Sequence, residues 1–230
     1  MTATSAIVRR ARPLLGTLVE IRVSAAPAAA SAALEGAFAA IERVHRAMSA
    51  QEPASDIALL RAGHGHGADP WTRRVLEHAD DMYAATDGLF DCRACGYALD
   101  GIAKGFAVDR AVECLQGAGI ESGAVNAGGD LRVFGTGFQP IYVRPPHRPT
   151  ELRHIGSARD AAVATSGREL LVDPRGRQAC PAPRGVTVIA ADCVTADALT
   201  KPCLLEPERA EHWAAKFGAR ILLWGVTPCR

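Results

Sequence analysis

Between Leu99 and Gly135 the chain reads Leu-Asp-Gly-Ile-Ala-Lys-Gly-Phe-Ala-Val-Asp, then a helical run, then Val-Asn-Ala-Gly-Gly-Asp-Leu-Arg-Val-Phe-Gly. Gly101 and Gly105 bracket Lys104. Glycine has no Cβ and tolerates positive φ, so backbone there can come close to a ligand. A helix opening at this point aims unpaired N–H groups and the positive end of its dipole at an anion. Lys104 adds a full positive charge. These residue types at this spacing suit a diphosphate. A single Gly-rich segment is most simply a turn, so the chemistry needs further segments to support it.

Elements must position those residues. From Leu18 to Val23, apolar Val19, Ile21 and Val23 alternate with Glu20 and Arg22, the pattern of a half-buried strand. From Pro27 to Met48, Leu34, Phe38, Ile41, Val44 and Met48 form one helical stripe that belongs in a core. Asp69-Pro70 starts a second helix with Val75, Ala79 and Met82 inward. Gly105 to Leu115 is predicted as a third, closed by Gly119. Short strands are expected near Ala124 and at Leu131–Phe134, Ile141–Val143, Ala161–Thr165 and Val186–Ala190. Helices at about Ala196–Leu204 and Pro207–Phe217 precede a last strand at Arg220–Trp224. Strands and helices mix without a strict βαβ repeat, which predicts an α+β fold. Pro145-Pro146 and Pro181-Ala-Pro183 read as loops, so residues 1–230 are expected to form one domain or two intimately packed halves.

Composition excludes several classes. A net charge of +1 lacks the basic footprint of a nucleic-acid binder. No apolar run is long enough to span a bilayer. Seven irregularly spaced cysteines suit a reducing compartment better than a disulfide framework. Cys92-x-x-Cys95 is a lone pair, and zinc wants four ligands. His64 and His66 stand in Gly-His-Gly-His-Gly, which reads as a loop. Arg9-Arg10 is not followed by the apolar stretch and small-residue cleavage site of a signal. A cytoplasmic protein is expected, or a periplasmic one if a leader was trimmed.

Five segments occur in a telling order: Leu15-Gly-Thr17 leading into a strand, Gly88-Leu-Phe-Asp91, the Lys104 loop, Ala164-Thr-Ser-Gly167 followed by Val172-Asp-Pro174, and Val186-Thr-Val-Ile-Ala190 followed by Thr195-Ala-Asp-Ala-Leu-Thr-Lys201. From about Leu14 to about Leu205 the chain resembles the ApbE family, the FAD:protein FMN transferases. The resemblance implies mixed sheets flanked by helices. It implies cleavage of the FAD diphosphate and attachment of FMN, through a phosphoester, to a Thr or Ser of an acceptor protein. It places FAD contacts at Leu15, Leu89, Phe90, Asp91, Asp100, Gly101, Lys104, Phe106, Asp109, Thr165 and Leu171. A carboxylate at Asp109 could accept hydrogen bonds from a ribose hydroxyl or the adenine amine; equally, it could neutralise its own helix N-terminus. Magnesium in the family implies ligands at the Ala103 carbonyl, at Asp197 and at a Thr four residues later.

The chain departs from that pattern at three points. Lys201 stands four residues after Asp197, and Thr200 is one residue early, about 100° around the helix. Either Thr200 ligates after a local shift, or Lys201 supplies positive charge in the metal's place, or Asp197 and Lys201 are a plain i,i+4 surface pair. The family's histidine, suited to take the acceptor's proton, falls at Leu170, with Glu169 and Asp173 as nearby carboxylates and Asp173 taken as the candidate base. Between Asp91 and Gly101 only nine residues remain, so part of the pocket wall is missing or comes from a partner subunit, as in a homodimer. Three functions stay open: FMN transfer with FAD, with or without magnesium; a flavin-binding or accessory protein without transfer; and hydrolysis of FAD to FMN and AMP.

Overall fold

The computed structural model describes residues 6–64, 68–167, 171–176 and 185–225. Seven strands form one antiparallel sheet in the order β1 (Ala6–Leu14), β2 (Thr17–Ala25), β3 (Gly123–Ala127), β4 (Asp130–Phe134), β7 (Ala161–Gly167), β8 (Gly185–Ala190) and β9 (Arg220–Trp224). A separate ribbon pairs β5 (Gln139–Val143) with β6 (Arg153–Ala158). The helices are α1 (Pro27–Met48), α2 (Asp56–Arg61), α3 (Pro70–Ala85), α4 (Ala103–Gly117), α5 (Cys193–Leu205) and α6 (Ala210–Phe217). This is the α+β arrangement that the sequence predicts.

The period-two alternation of the strands divides the core in two. On one face Val19, Ile21, Val125, Ala162, Val186 and Val188 are fully buried with the inward stripes of the helices. On the other, Ala124, Val133, Val163 and Trp224 pack with Ile141 and Val143 of the ribbon. The α1 stripe read from the sequence is buried as expected, and so are Val75, Ala79 and Met82 of α3. The Asp69 carboxylate caps α3 by accepting from the Trp71 N–H at 2.8 Å, with Pro70 in the first turn.

Three elements escaped the sequence. Strand β1 is an edge strand, mostly exposed, so it shows no alternation. Its Arg10 and Arg12 reach across to Glu35 of α1. Helix α2 spans only six residues, too few for a period, and is held by Ser55 accepting from the Ala58 N–H. Strand β6 pairs with β5 alone. Both site helices start earlier than predicted, α4 at Ala103 and α5 at Cys193, the latter with the Asp192 carboxylate accepting from the Thr195 N–H at 2.8 Å. Pro181 and Pro183 lie outside the described residues, as do Leu170 and His66.

Candidate functional site

Helices α4 and α5 meet at their N-terminal turns. A Cβ on Gly105 would stand 2.2 Å from the Cys193 carbonyl oxygen and 2.9 Å from the Asp197 Cβ. The Gly105 N–H donates to Asp197 Oδ2 at 3.1 Å. Of the other first-turn amides of α4, that of Ala103 donates to the Leu99 carbonyl and that of Phe106 to the Ile102 carbonyl. This corrects the sequence expectation. Gly105 admits a helix rather than a ligand, and the anion at this helix end is the protein's own Asp197.

Asp109 has a similar fate. One oxygen accepts from the Cys193 N–H at 2.9 Å and the other from the Val194 N–H at 2.8 Å, and Arg132 donates to it at 2.6 Å. The residue is 2% exposed. It accepts from the first-turn amides of α5 rather than from its own helix. Phe106 is fully buried, edge-on to Trp71, with the Arg110 guanidinium over its ring. The Thr165 hydroxyl pairs with that of Thr187 at 2.7 Å. Leu15 occupies a tight turn at φ +55° and packs on the core. None of these four residues lines the cavity described next.

That cavity, of about 590 Å³, opens beside the start of α4, α5 and the end of β7. Its apolar lining includes Leu89, Phe90, Leu171, Val172 and Leu204. Its lining also includes Asp91, Asp100, Gly101, Lys104, Ser166 and Lys201. Of the flavin contacts implied by resemblance, the structure therefore gathers Leu89, Phe90, Asp91, Asp100, Gly101, Lys104 and Leu171. The short link after Asp91 is itself wall, through Cys92, Cys95 and Ala98.

Two lysines of the lining each set their ammonium group on a buried carboxylate. Lys104 Nζ lies 2.5 Å from Asp130 Oδ2, and Asp130 is 1% exposed. Lys201 Nζ lies 2.5 Å from Asp197 Oδ1 and 3.0 Å from the Asp197 carbonyl, and Asp197 is fully buried. Burial pushes the Asp130 carboxyl up, the Asp197 charge adds to this, and Lys104 pulls it back. Burial works against the charge of Lys104, but Asp130 and Asp197 together hold its pKa above the ordinary lysine value. The pair Asp197–Lys201 is thus no surface pair.

Asp130 ends the second Gly-rich segment, which the sequence offers as a turn shaping the pocket, but its pairing with Lys104 was not read there. The Gly128-Gly129 turn, both residues at positive φ, closes the β3–β4 hairpin and delivers Asp130 as the first residue of β4. Asn126 Oδ1 steadies that turn by accepting from the Gly129 N–H. An acidic residue directly after a tight Gly-Gly turn was the available signal. Asp173, expected as a base, is 9% exposed and accepts from the Arg175 N–H at 2.9 Å. It does not line the cavity, although Val172 and Pro174 do.

The cysteines on the wall give a direct check. Burial pushes the Cys92 thiol up to about 11 and raises Cys95 as well. Thiolate is the reactive form. Iodoacetamide at neutral pH is expected to label half-buried Cys95 before buried Cys92, both slowly, with faster labelling as pH rises. Peptide mass spectrometry measures the order, and a ligand filling the cavity should slow both.

A family model described as the ApbE family matches residues 15–97 and 93–223. The chain belongs to the ApbE family. A curated relative, the FAD:protein FMN transferase of Rhodobacter capsulatus, is 24% identical over 293 residues, covering 97% of this chain and 56% of its own length. The chain thus spans about half the length of that relative. The ApbE flavin transferase of Vibrio cholerae superposes with a TM-score of 0.81 at 20% identity, over 97% of this chain and 95% of that one. The ApbE protein of Thermotoga maritima gives 0.80 at 22%, over 95% and 94%. These two likenesses show that the ApbE fold is shared.

The magnesium that the ApbE resemblance implies does not fit the residues present. Lys201 holds Asp197 Oδ1 and the Asp197 carbonyl, and Gly105 holds Oδ2. The Thr200 hydroxyl donates to the Asp197 carbonyl at 2.6 Å and shares a hydrogen bond with Ser166 at 2.9 Å, fully buried. An ammonium and a dication on one carboxylate oxygen repel each other. Asp197 and Thr200 are thus taken up by the chain's own Gly105, Lys201 and Ser166. Among the described residues no helix is long and apolar enough to cross a membrane.

Proposed function

We propose that the chain transfers FMN from FAD to a Thr or Ser hydroxyl of an acceptor protein. The observation that carries this is the lining of one cavity, which joins the ammonium groups of Lys104 and Lys201 to the apolar surface of Leu89, Phe90 and Leu171. A diphosphate suits the first and a flavin ring the second. Family membership and the name of the Rhodobacter relative support the same substrate class.

In this reading the acceptor oxygen attacks the phosphorus nearer the flavin. The bond from that phosphorus to the bridging oxygen breaks, and AMP leaves with that oxygen. Lys104 and Lys201 stabilise the charge that gathers on the diphosphate. The hydroxyl proton passes to a base. Asp173 is engaged by Arg175, whereas Asp100 is exposed on the cavity wall beside Gly101, so Asp100 takes that role.

Purified protein with FAD and a candidate acceptor should release AMP and add the mass of FMN to the acceptor. Lys104→Met should weaken FAD binding by about 1–3 kcal/mol, the worth of a charge-assisted hydrogen bond. Asp100→Asn should slow AMP release by about 10²–10⁴-fold, far more than it changes FAD affinity. The displacement of Asp173 from the wall favours a second reading, flavin binding without transfer. FAD binding with no AMP under any condition would establish that reading, and AMP without acceptor modification would establish hydrolysis.

A further inference from the structure

Asp197 is the most deeply placed acidic group of the α4–α5 junction, and its charge is balanced from within the chain. It lies in the same helix as its partner, one turn away, yet it is fully buried while Lys201 reaches the cavity. A buried carboxylate without a counter-charge is strongly unfavourable. Lys201 supplies that counter-charge through a tethered ammonium, at a fixed place, held by a carboxylate oxygen and a carbonyl oxygen of a single residue. Oxygen donors of these two kinds also suit a hard divalent cation.

The surroundings are shaped for the lysine. A Cβ on Gly101 would stand 2.9 Å from Lys201 Cε, so the missing side chain at Gly101 gives the stem its path to Asp197. Thr200 cannot compete for the seat, because its hydroxyl is held by Ser166 and the Asp197 carbonyl. Pro202 follows directly and interrupts the backbone ladder of α5 at this turn. An ammonium has three N–H donors. Asp197 takes two, which leaves the third for an oxygen entering the cavity next to Lys104.

We propose that Lys201 is a resident cation: its ammonium takes the seat and the charge-neutralising part of a divalent metal at the nucleotide diphosphate, so this chain binds its dinucleotide without metal. The inference rests on the proposed use of FAD. It adds one positive charge where a metal would bring two, and that charge is present whatever the metal supply.

The test is FAD titration by flavin fluorescence in EDTA and in millimolar magnesium, with manganese paramagnetic resonance as a separate readout of metal. For the unmodified chain, affinity in the two buffers should agree within about twofold, and manganese should stay free in the presence of FAD. Lys201→Thr should lose about tenfold or more of its FAD affinity in EDTA. Magnesium should restore it, and manganese should now appear bound. Stoichiometric manganese on the unmodified chain, or loss of its FAD affinity in EDTA, overturns the inference without need of any variant. Lys201→Thr with full affinity in EDTA also overturns it, as does a loss that metal does not restore. FAD binding that requires metal sinks this inference alone. No FAD binding under any condition sinks the proposed function with it.

Discussion

Gly105→Ala is expected to cost about 3 kcal/mol or more of stability, beyond the usual range for an added methyl in a packed interior. The added Cβ would meet the Cys193 carbonyl oxygen at 2.2 Å and its carbonyl carbon at 2.7 Å. Both atoms are backbone in the first turn of α5, so no side-chain rotation relieves the contact. Helices α4 and α5 would have to part. That would lengthen the Gly105 N–H bond to Asp197 and shift the carboxylate that seats Lys201. Urea unfolding measures the loss as a lower midpoint at a similar slope. Gly117, at the end of the same helix, has open space around its missing side chain. Gly117→Ala should be neutral or stabilising by up to about 1 kcal/mol. Equal melts for the two variants would show that helix contact at Gly105 is not what requires glycine.

Asp109→Ala should destabilise the fold by about 3–5 kcal/mol, the cost of breaking a buried ion pair by removing one partner. The change strips the Cys193 and Val194 amides of their acceptors and leaves Arg132 without its carboxylate. Asp109→Asn keeps the shape and one acceptor oxygen, and should lose less. A nucleotide contact at Asp109 would give the opposite pattern: unchanged unfolding and a weakened FAD titration. The two assays together decide between the structural cap and the ligand contact.

Much of the framework was legible because it obeys local rules. The alternation in Leu18–Val23 located β2 and its inward face, and the stripe from Leu34 to Met48 located α1. The order of five short motifs gave the family. Lys104, Leu89, Phe90 and Leu171 lie on the cavity wall that their motifs implied. Edge strand β1 was not legible, since a strand exposed on both sides has no apolar face to repeat.

The site chemistry was decided at longer range. Gly105 and Asp197 are 92 residues apart, Asp109 and Cys193 84, and Lys104 and Asp130 26. Lys201 and Asp197 are neighbours on one helix, so the pairing could be read from the sequence, but its burial could not. Periodicity reports which face of its own element a residue occupies. Whether that face meets solvent, a ligand or another backbone depends on layers built from remote parts of the chain. Asp109 and Asp197 were recognised by sequence as chemically capable carboxylates. Tertiary packing made one a helix cap and the other the seat of an ammonium, because desolvated carboxylates must take their hydrogen bonds and counter-charges from whatever the fold brings within reach.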